Sequence, residues 1–168
     1  MCGKYREAAL AGRLFSVANQ AAVATTANLT AAWTGLGVCN PEGSGKNLII
    51  HEFGVSWSLT GSTAGAYGLM TSDDKGFTDS LTAKCAMHGT GASVAYCSAG
   101  CTVTTPILER VLGHYGTGNT NLFTSVPLSV YQIDGSIILA PDRSVMTYTS
   151  LATTGAAIFH FLWEEVDA

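Results

Sequence analysis

The sequence predicts an all-β protein, a jelly-roll-like antiparallel β-sandwich with a short N-terminal arm. Three observations favour this fold class: eight to eleven short segments are rich in β-branched and aromatic residues, turn residues separate them, and hardly any segment has a helical pattern. No domain-length repeat is present. We therefore divide the 168 residues into an arm, residues 1–12, and a single sandwich domain, residues 13–168.

Charged residues are scarce, at 12% of the chain against roughly 25% in ordinary soluble domains. A soluble protein with so few charges usually has much of its surface covered by partners. No apolar run approaches the ~18 residues of a membrane-spanning helix, so we expect no membrane partner. The eight Lys and Arg residues are scattered, which argues against a nucleic-acid partner. No secretory signal is visible, and we expect folding in a cytoplasm.

The first half of the chain begins with an arm that could form a short helix. Such a helix is too short to be stable alone, so we expect the arm to order on a partner. In the longest predicted strand the apolar residues change face after His51-Glu52, which predicts a β-bulge near Glu52–Gly54. The strands predicted here are Leu14–Val17, Val23–Thr26, Trp33–Val38, Asn47–Thr60 and Tyr67–Thr71.

The second half contains one ambiguous segment, residues 105–113. Thr105 and Pro106 would suit a helix start, but the alternation that follows favours a strand. Asp134-Gly135 and Pro141-Asp142 predict turns. The other predicted strands are Leu81–Met87, Val94–Thr104, Ser129–Ile133, Ser136–Leu139, Val145–Thr149 and Ala157–Val166.

The last strand is apolar on both of its alternating faces, which predicts that both faces are covered. One face carries Ala157, Phe159, Phe161 and Trp163, and the other carries Ile158, His160, Leu162 and Val166. We expect a sister subunit of a homotrimer to supply the second cover. The predicted interface residues are Tyr5, Leu10, Phe159, Phe161 and Trp163.

Three thiols and an imidazole lie within seventeen residues, as Cys85, His88, Cys97 and Cys101. Zinc takes four such ligands, but this spacing matches no standard zinc motif. A disulfide is the second possibility, for example Cys97–Cys101, although cytosolic synthesis disfavours it. Buried free thiols are the third. The sequence leaves these three open, and we expect that no metal or other cofactor is required.

Catalytic motifs are not recognisable, and we expect no enzymatic activity. The segment GSGKN (43–47) lacks the phosphate-binding pattern, because Asn occupies positions 40 and 47 where that pattern needs Gly and Ser or Thr. His51 and Glu52 are adjacent on a strand and would point to opposite faces. The pairs Asp73-Asp74 and Glu164-Glu165 are predicted to be solvated.

Several segments resemble virion structural proteins of tailed bacteriophages. They are GRLFSVANQAAVATT (12–26), GSGKNLIIHEFGVSW (43–57), DGSIILAPDRSVMTYTS (134–150) and IFHFLWEEV (158–166). The resemblance implies a jelly-roll-like subunit, often trimeric, which decorates the head of the virion by binding the major capsid protein.

The resemblance also allows a tail or fibre module that binds a host glycan or protein. Loops 61–66, 72–80 and 114–124 would then carry the contacts. Aromatic side chains suited to stacking on a ligand are Tyr67, Phe77, Tyr115 and Phe123.

Overall fold

Two antiparallel five-stranded sheets pack face to face in the computed structural model, which describes residues 3, 5–57, 64–73, 76–88, 91–115, 129–153 and 155–168. The predicted all-β sandwich is confirmed. Its elements are α1 (Arg6–Leu10), β1 (Leu14–Ala18), β2 (Ala32–Asn40), β3 (Lys46–Trp57), β4 (Gly65–Ser72), β5 (Lys84–Cys85), β6 (Tyr96–Thr102), β7 (Ile107–Tyr115), β8 (Ser129–Leu139), β9 (Arg143–Thr149) and β10 (Ala157–Asp167).

The strand order is that of a jelly roll with two added strands. Sheet I has the order β5-β1-β10-β3-β8, and sheet II has the order β6-β2-β9-β4-β7. Without β5 and β6, the first strand pairs with the last, the second with the second-last, and so on inward to the β4–β7 pair. This nested pairing alternates between the sheets, as in a long hairpin wound into a double-sheet roll.

The two added strands come from residues 73–106, which lie between β4 and β7. β5 extends sheet I beside β1, and β6 extends sheet II beside β2. Both additions lie on the same side of the sandwich, where Leu81 also forms a β-bridge with Cys97. The opposite side is bounded by β7 and β8, the last strands of the two sheets.

The main core fills the space between the sheets with alternate side chains from both. Its largest members, Phe53, Phe159, Phe161 and Trp163, are at most 1% exposed. Each such side chain contributes about 1.5–3 kcal/mol by burial. Because they meet other residues of the same chain, this core is complete within one chain.

A second, smaller core covers the outer face of sheet II. On neighbouring positions of one strand, Leu69 belongs to the main core and Met70 to the second, so the two cores lie on opposite faces. Residues 73–106 supply Phe77 and Val103 as its cover. Its buried members are Trp33, Cys39, Met70, Phe77, Val103 and Met146.

The strand prediction is confirmed within residues 105–113, where β7 forms from Ile107. Only Lys84–Cys85 of the predicted strand Leu81–Met87 forms a strand, and one further strand and one turn differ from the prediction. Val23–Thr26 makes only one bridge, from Val23 to Ala157. Asp134-Gly135 is not a turn between strands but an irregularity within β8, with positive φ values of 51° and 75°. The predicted bulge exists, displaced to between Ile50 and Glu52.

Candidate functional site

The described part of the N-terminal arm, residues 3 and 5–12, is docked on the outer face of sheet I. The Tyr5 ring lies on the His51 imidazole with 4.6 Å between centroids. Its hydroxyl is 3.1 Å from Gln132 Oε1 and 3.2 Å from Asp134 Oδ1, so these two acceptors share one hydrogen. Ala8 is buried. The arm therefore orders on its own sandwich, contrary to the expectation that ordering needs a partner.

An ion pair next to this contact joins Arg13, which follows α1, to Glu164 of β10. Arg13 Nη2 lies 2.9 Å from Glu164 Oε1, and Glu164 Oε2 lies 3.6 Å from His51 Nε2. A cavity of 290 Å³ lies between Tyr5, Arg13, His51 and Glu164. Glu164 thus pairs with Arg13, just beyond α1, and lies beside His51, so it is not a solvated chain-end charge.

Glu165 is buried, which corrects the prediction that it is solvated. Its Oε1 accepts hydrogen bonds from Ser93 Oγ at 2.5 Å and from the Val94 amide at 3.1 Å. Trp163 Nε1 donates to the same oxygen at 3.4 Å. The carboxylate therefore fastens residues 93–94, which connect the two added strands, to the last strand of sheet I.

The aromatic residues of β10 lie in the main core, so their assignment to a subunit interface is wrong. Phe159, Phe161 and Trp163 are at most 1% exposed within one subunit and leave no surface for a neighbour. The opposite face of β10 is only partly covered, with Ile158 42% exposed. Of the other predicted interface residues, Tyr5 is docked within the subunit and Leu10 is 61% exposed.

His160 lies on the outer face of sheet I, directly over Gly54 of the neighbouring strand. A Cβ at position 54 would come within 1.9 Å of His160 Cε1, so a glycine is needed for the ring to lie there. Burial lowers the pKa of His160, and the charge of Glu52 opposes this in part.

Acidification is expected to destabilise the fold through His160. Its folded-state pKa lies below the unfolded value, so the unfolded chain binds more protons as pH falls from ~6.5 through the lowered pKa. Stability is therefore lost over that window. His160→Gln should flatten this part of a curve of urea midpoint against pH. A variant with the wild-type slope would assign the loss to other groups.

Cys97 and Cys101 do not form a disulfide, which was one of the three possibilities left open by the sequence. Cys97 and Cys101 are free thiols on β6, and burial raises the pKa of both. Four residues along a strand span roughly 13 Å, whereas a disulfide needs Cα atoms within about 7 Å. The two also face different cores, Cys97 the main one and Cys101 the second, because the β2–β6 pairing shifts register.

The positions of the four candidate ligands do not support a zinc site. Cys85 is buried in the main core on β5, and His88 lies in the connection that follows. Among the residues that the structure describes, no three His, Cys, Asp or Glu side chains are grouped so as to hold a metal ion.

Two of the four aromatic candidates for ligand stacking are buried. Tyr67 and Phe77 are 6% and 9% exposed. Tyr67 packs edge-on against Trp57 and hydrogen-bonds Tyr131, and burial together with that hydrogen bond raises the pKa of Tyr67 to about 12. Phe123 and the side chain of Tyr115 lie outside the described residues.

Exposed apolar side chains concentrate along β7 and β8, which we call the open edge. The two strands meet where Arg110 Nη1 donates to Ser136 Oγ at 3.1 Å. Apolar residues here that are 39–65% exposed are Ile107, Leu108, Val111, Val130 and Ile138. This surface was not predicted from the sequence, although apolar residues flanking Glu109-Arg110 on an alternating strand indicate it.

The backbone of β7 is unsuited to pairing with another strand. Its register against β4 shifts twice, between Tyr67 and Gly68 and between Leu69 and Met70. Such bulges interrupt a regular row of backbone donors and acceptors and so protect a sheet edge from strand addition. A partner would therefore meet the side chains of the open edge rather than its backbone.

Comparison with protein-family models, curated proteins and solved structures finds no match to this chain. The described part of the chain also has no helix long and apolar enough to cross a membrane.

Proposed function

We propose that this protein is a structural subunit of a phage virion, a homotrimer that decorates the head by binding the major capsid protein. The exposed apolar side chains of the open edge carry this proposal. Apolar groups such as Ile107, 65% exposed, and Val111, 56% exposed, are stabilised when a partner covers them. The scarcity of charge and the jelly-roll strand order agree with a subunit of an assembly.

In this proposal, subunits contact one another through the open edge. Each subunit has a complete core, so trimer formation adds stability without being required for folding. Tyr5 covers part of the outer face of sheet I at His51, which leaves the open edge as the less covered apolar surface. The alternative, a tail or fibre module that binds a host receptor, is less favoured because Tyr67 and Phe77 are buried.

A charge at the open edge is expected to dissociate the trimer. The double change Ile107→Glu with Val111→Glu places two carboxylates where neighbouring subunits would exclude water, and an unpaired buried charge is costly. Light scattering coupled to size-exclusion chromatography at micromolar concentration should give a trimer mass for the wild type and a monomer mass for the variant. The variant should remain a folded monomer, because both positions are exposed within a subunit, and its melting temperature should fall only by the stability that trimer formation adds.

The matched control is Leu29→Glu, at an apolar residue that is 42% exposed but lies between β1 and β2. This variant should remain trimeric. A monomeric wild type would contradict the trimer, and a trimeric double variant would move the contact to another surface. Co-sedimentation with heads that lack the protein tests the decoration role separately. The wild type should sediment with the heads, and the double variant should not.

A further inference from the structure

α1 is held in place by contacts with sheet I rather than by its own stability. It has five residues, far fewer than the ~12–15 that an isolated helix needs. Tyr5 supplies the ring contact with His51 and the hydroxyl shared between Gln132 and Asp134. Gln132 is itself oriented by donating from Nε2 to Glu52 Oε1 at 2.9 Å. The surface thus receives a short helix that is preceded by a tyrosine.

A short hinge connects this helix to the sandwich. The Arg13 amide donates to the Ala8 carbonyl at 2.9 Å and the Gly12 amide donates to Ala9 at 3.0 Å, which is the Schellman arrangement at a helix end. Gly12 has φ of 70°, a value that favours glycine.

Beyond the hinge the chain is anchored independently. The Arg13 carbonyl accepts from the Glu165 amide at 2.9 Å, and the Arg13 guanidinium pairs with Glu164. The helix and β1 are therefore held by separate contacts. The conformation at Gly12 places both on the same chain.

The docked helix leaves its largest apolar side chain exposed to solvent. It buries the small Ala8, whereas Leu10, its largest apolar side chain, is 61% exposed. A neighbouring subunit packed close to sheet I would cover Leu10.

We propose that neighbouring copies of this chain exchange α1, so that the surface formed by His51, Gln132 and Asp134 receives Tyr5 of the next copy. This inference rests on the proposed self-assembly. The contacts of the helix are the same within a chain and between chains, so exchange requires only that the Gly12 hinge opens. Assembly supplies the high local concentration that favours the exchanged form.

The test labels the helix and asks which chain it touches. Tyr5→p-azidophenylalanine keeps the ring and places a photoreactive group where the hydroxyl lies. Isotopically light chains with this residue are dissociated, mixed with heavy wild-type chains, reassembled and irradiated. Mass spectrometry should find residue 5 of light chains joined to β8 peptides of heavy chains. Assembled trimers that give only light–light pairs would overturn the exchange and leave the trimer intact, whereas a monomer mass would overturn both.

The hinge provides a second measurement. Gly12→Ala strains the closed turn but not an opened one, so at the earliest time after mixing the fraction of light–heavy pairs should be roughly fivefold or more higher than in the wild type. Gly3→Ala is the matched control, because no atom lies within 4 Å of the added methyl position, and it should leave the fraction unchanged. An equal fraction in both variants would show that the hinge does not open and would overturn the proposal.

Discussion

Replacing Trp163 by alanine is expected to lower the free energy of unfolding by ~3–5 kcal/mol. The indole is fully buried between the sheets, with its ring stacked on Phe15 at 6.2 Å between centroids. Its removal leaves a cavity in the main core and takes one hydrogen-bond donor from Glu165. Urea denaturation followed by circular dichroism measures the loss.

The control residue lies on the opposite face of β10. Ile158→Ala, on the same strand but 42% exposed, should cost less than about 1 kcal/mol. The comparison separates a core role for the β10 aromatics from the interface role that the sequence predicts. If Trp163→Ala dissociated an oligomer while each subunit kept its unfolding free energy, the core assignment would be wrong.

The pattern of the last strand predicts which residues share a face but not what covers each face. Alternation correctly places Phe159, Phe161 and Trp163 on one face, because the side-chain period of a strand is two. It does not reveal what covers each face. The second sheet of the same chain covers the aromatic face, and sheet packing joins residues far apart in sequence. A local pattern cannot distinguish that cover from a neighbouring subunit.

Long-range contacts also explain the other misjudged residues. Glu165 has the sequence context of a chain-end charge, yet residues 93–94 reach across to it and supply two donors. Tyr5 has no apolar period around it, so its contacts with His51 and Gln132 are not predictable from the arm alone. The bulge near His51 was predictable because a change of apolar face within one strand is a local signal.

Asn19 is a further residue whose role is invisible in the sequence, where Asn19-Gln20 marks only a separation between segments. The side chain is 6% exposed and connects the two sheets. Its Nδ2 donates to the Gly35 carbonyl on β2 at 2.8 Å, and its Oδ1 accepts from the Phe159 amide on β10 at 3.0 Å. One amide side chain thus satisfies a buried backbone acceptor and a buried backbone donor.

Asn19→Ala is therefore expected to lower the free energy of unfolding by about 2–4 kcal/mol, since each buried backbone group left unpaired costs roughly 1–3 kcal/mol. Gln20→Ala is the neighbouring control. Gln20 is exposed and its Nε2 donates to the nearby Ala18 carbonyl, so this change should cost less than about 0.5 kcal/mol. Equal urea midpoints for the two variants would mean that water replaces the Asn19 amide.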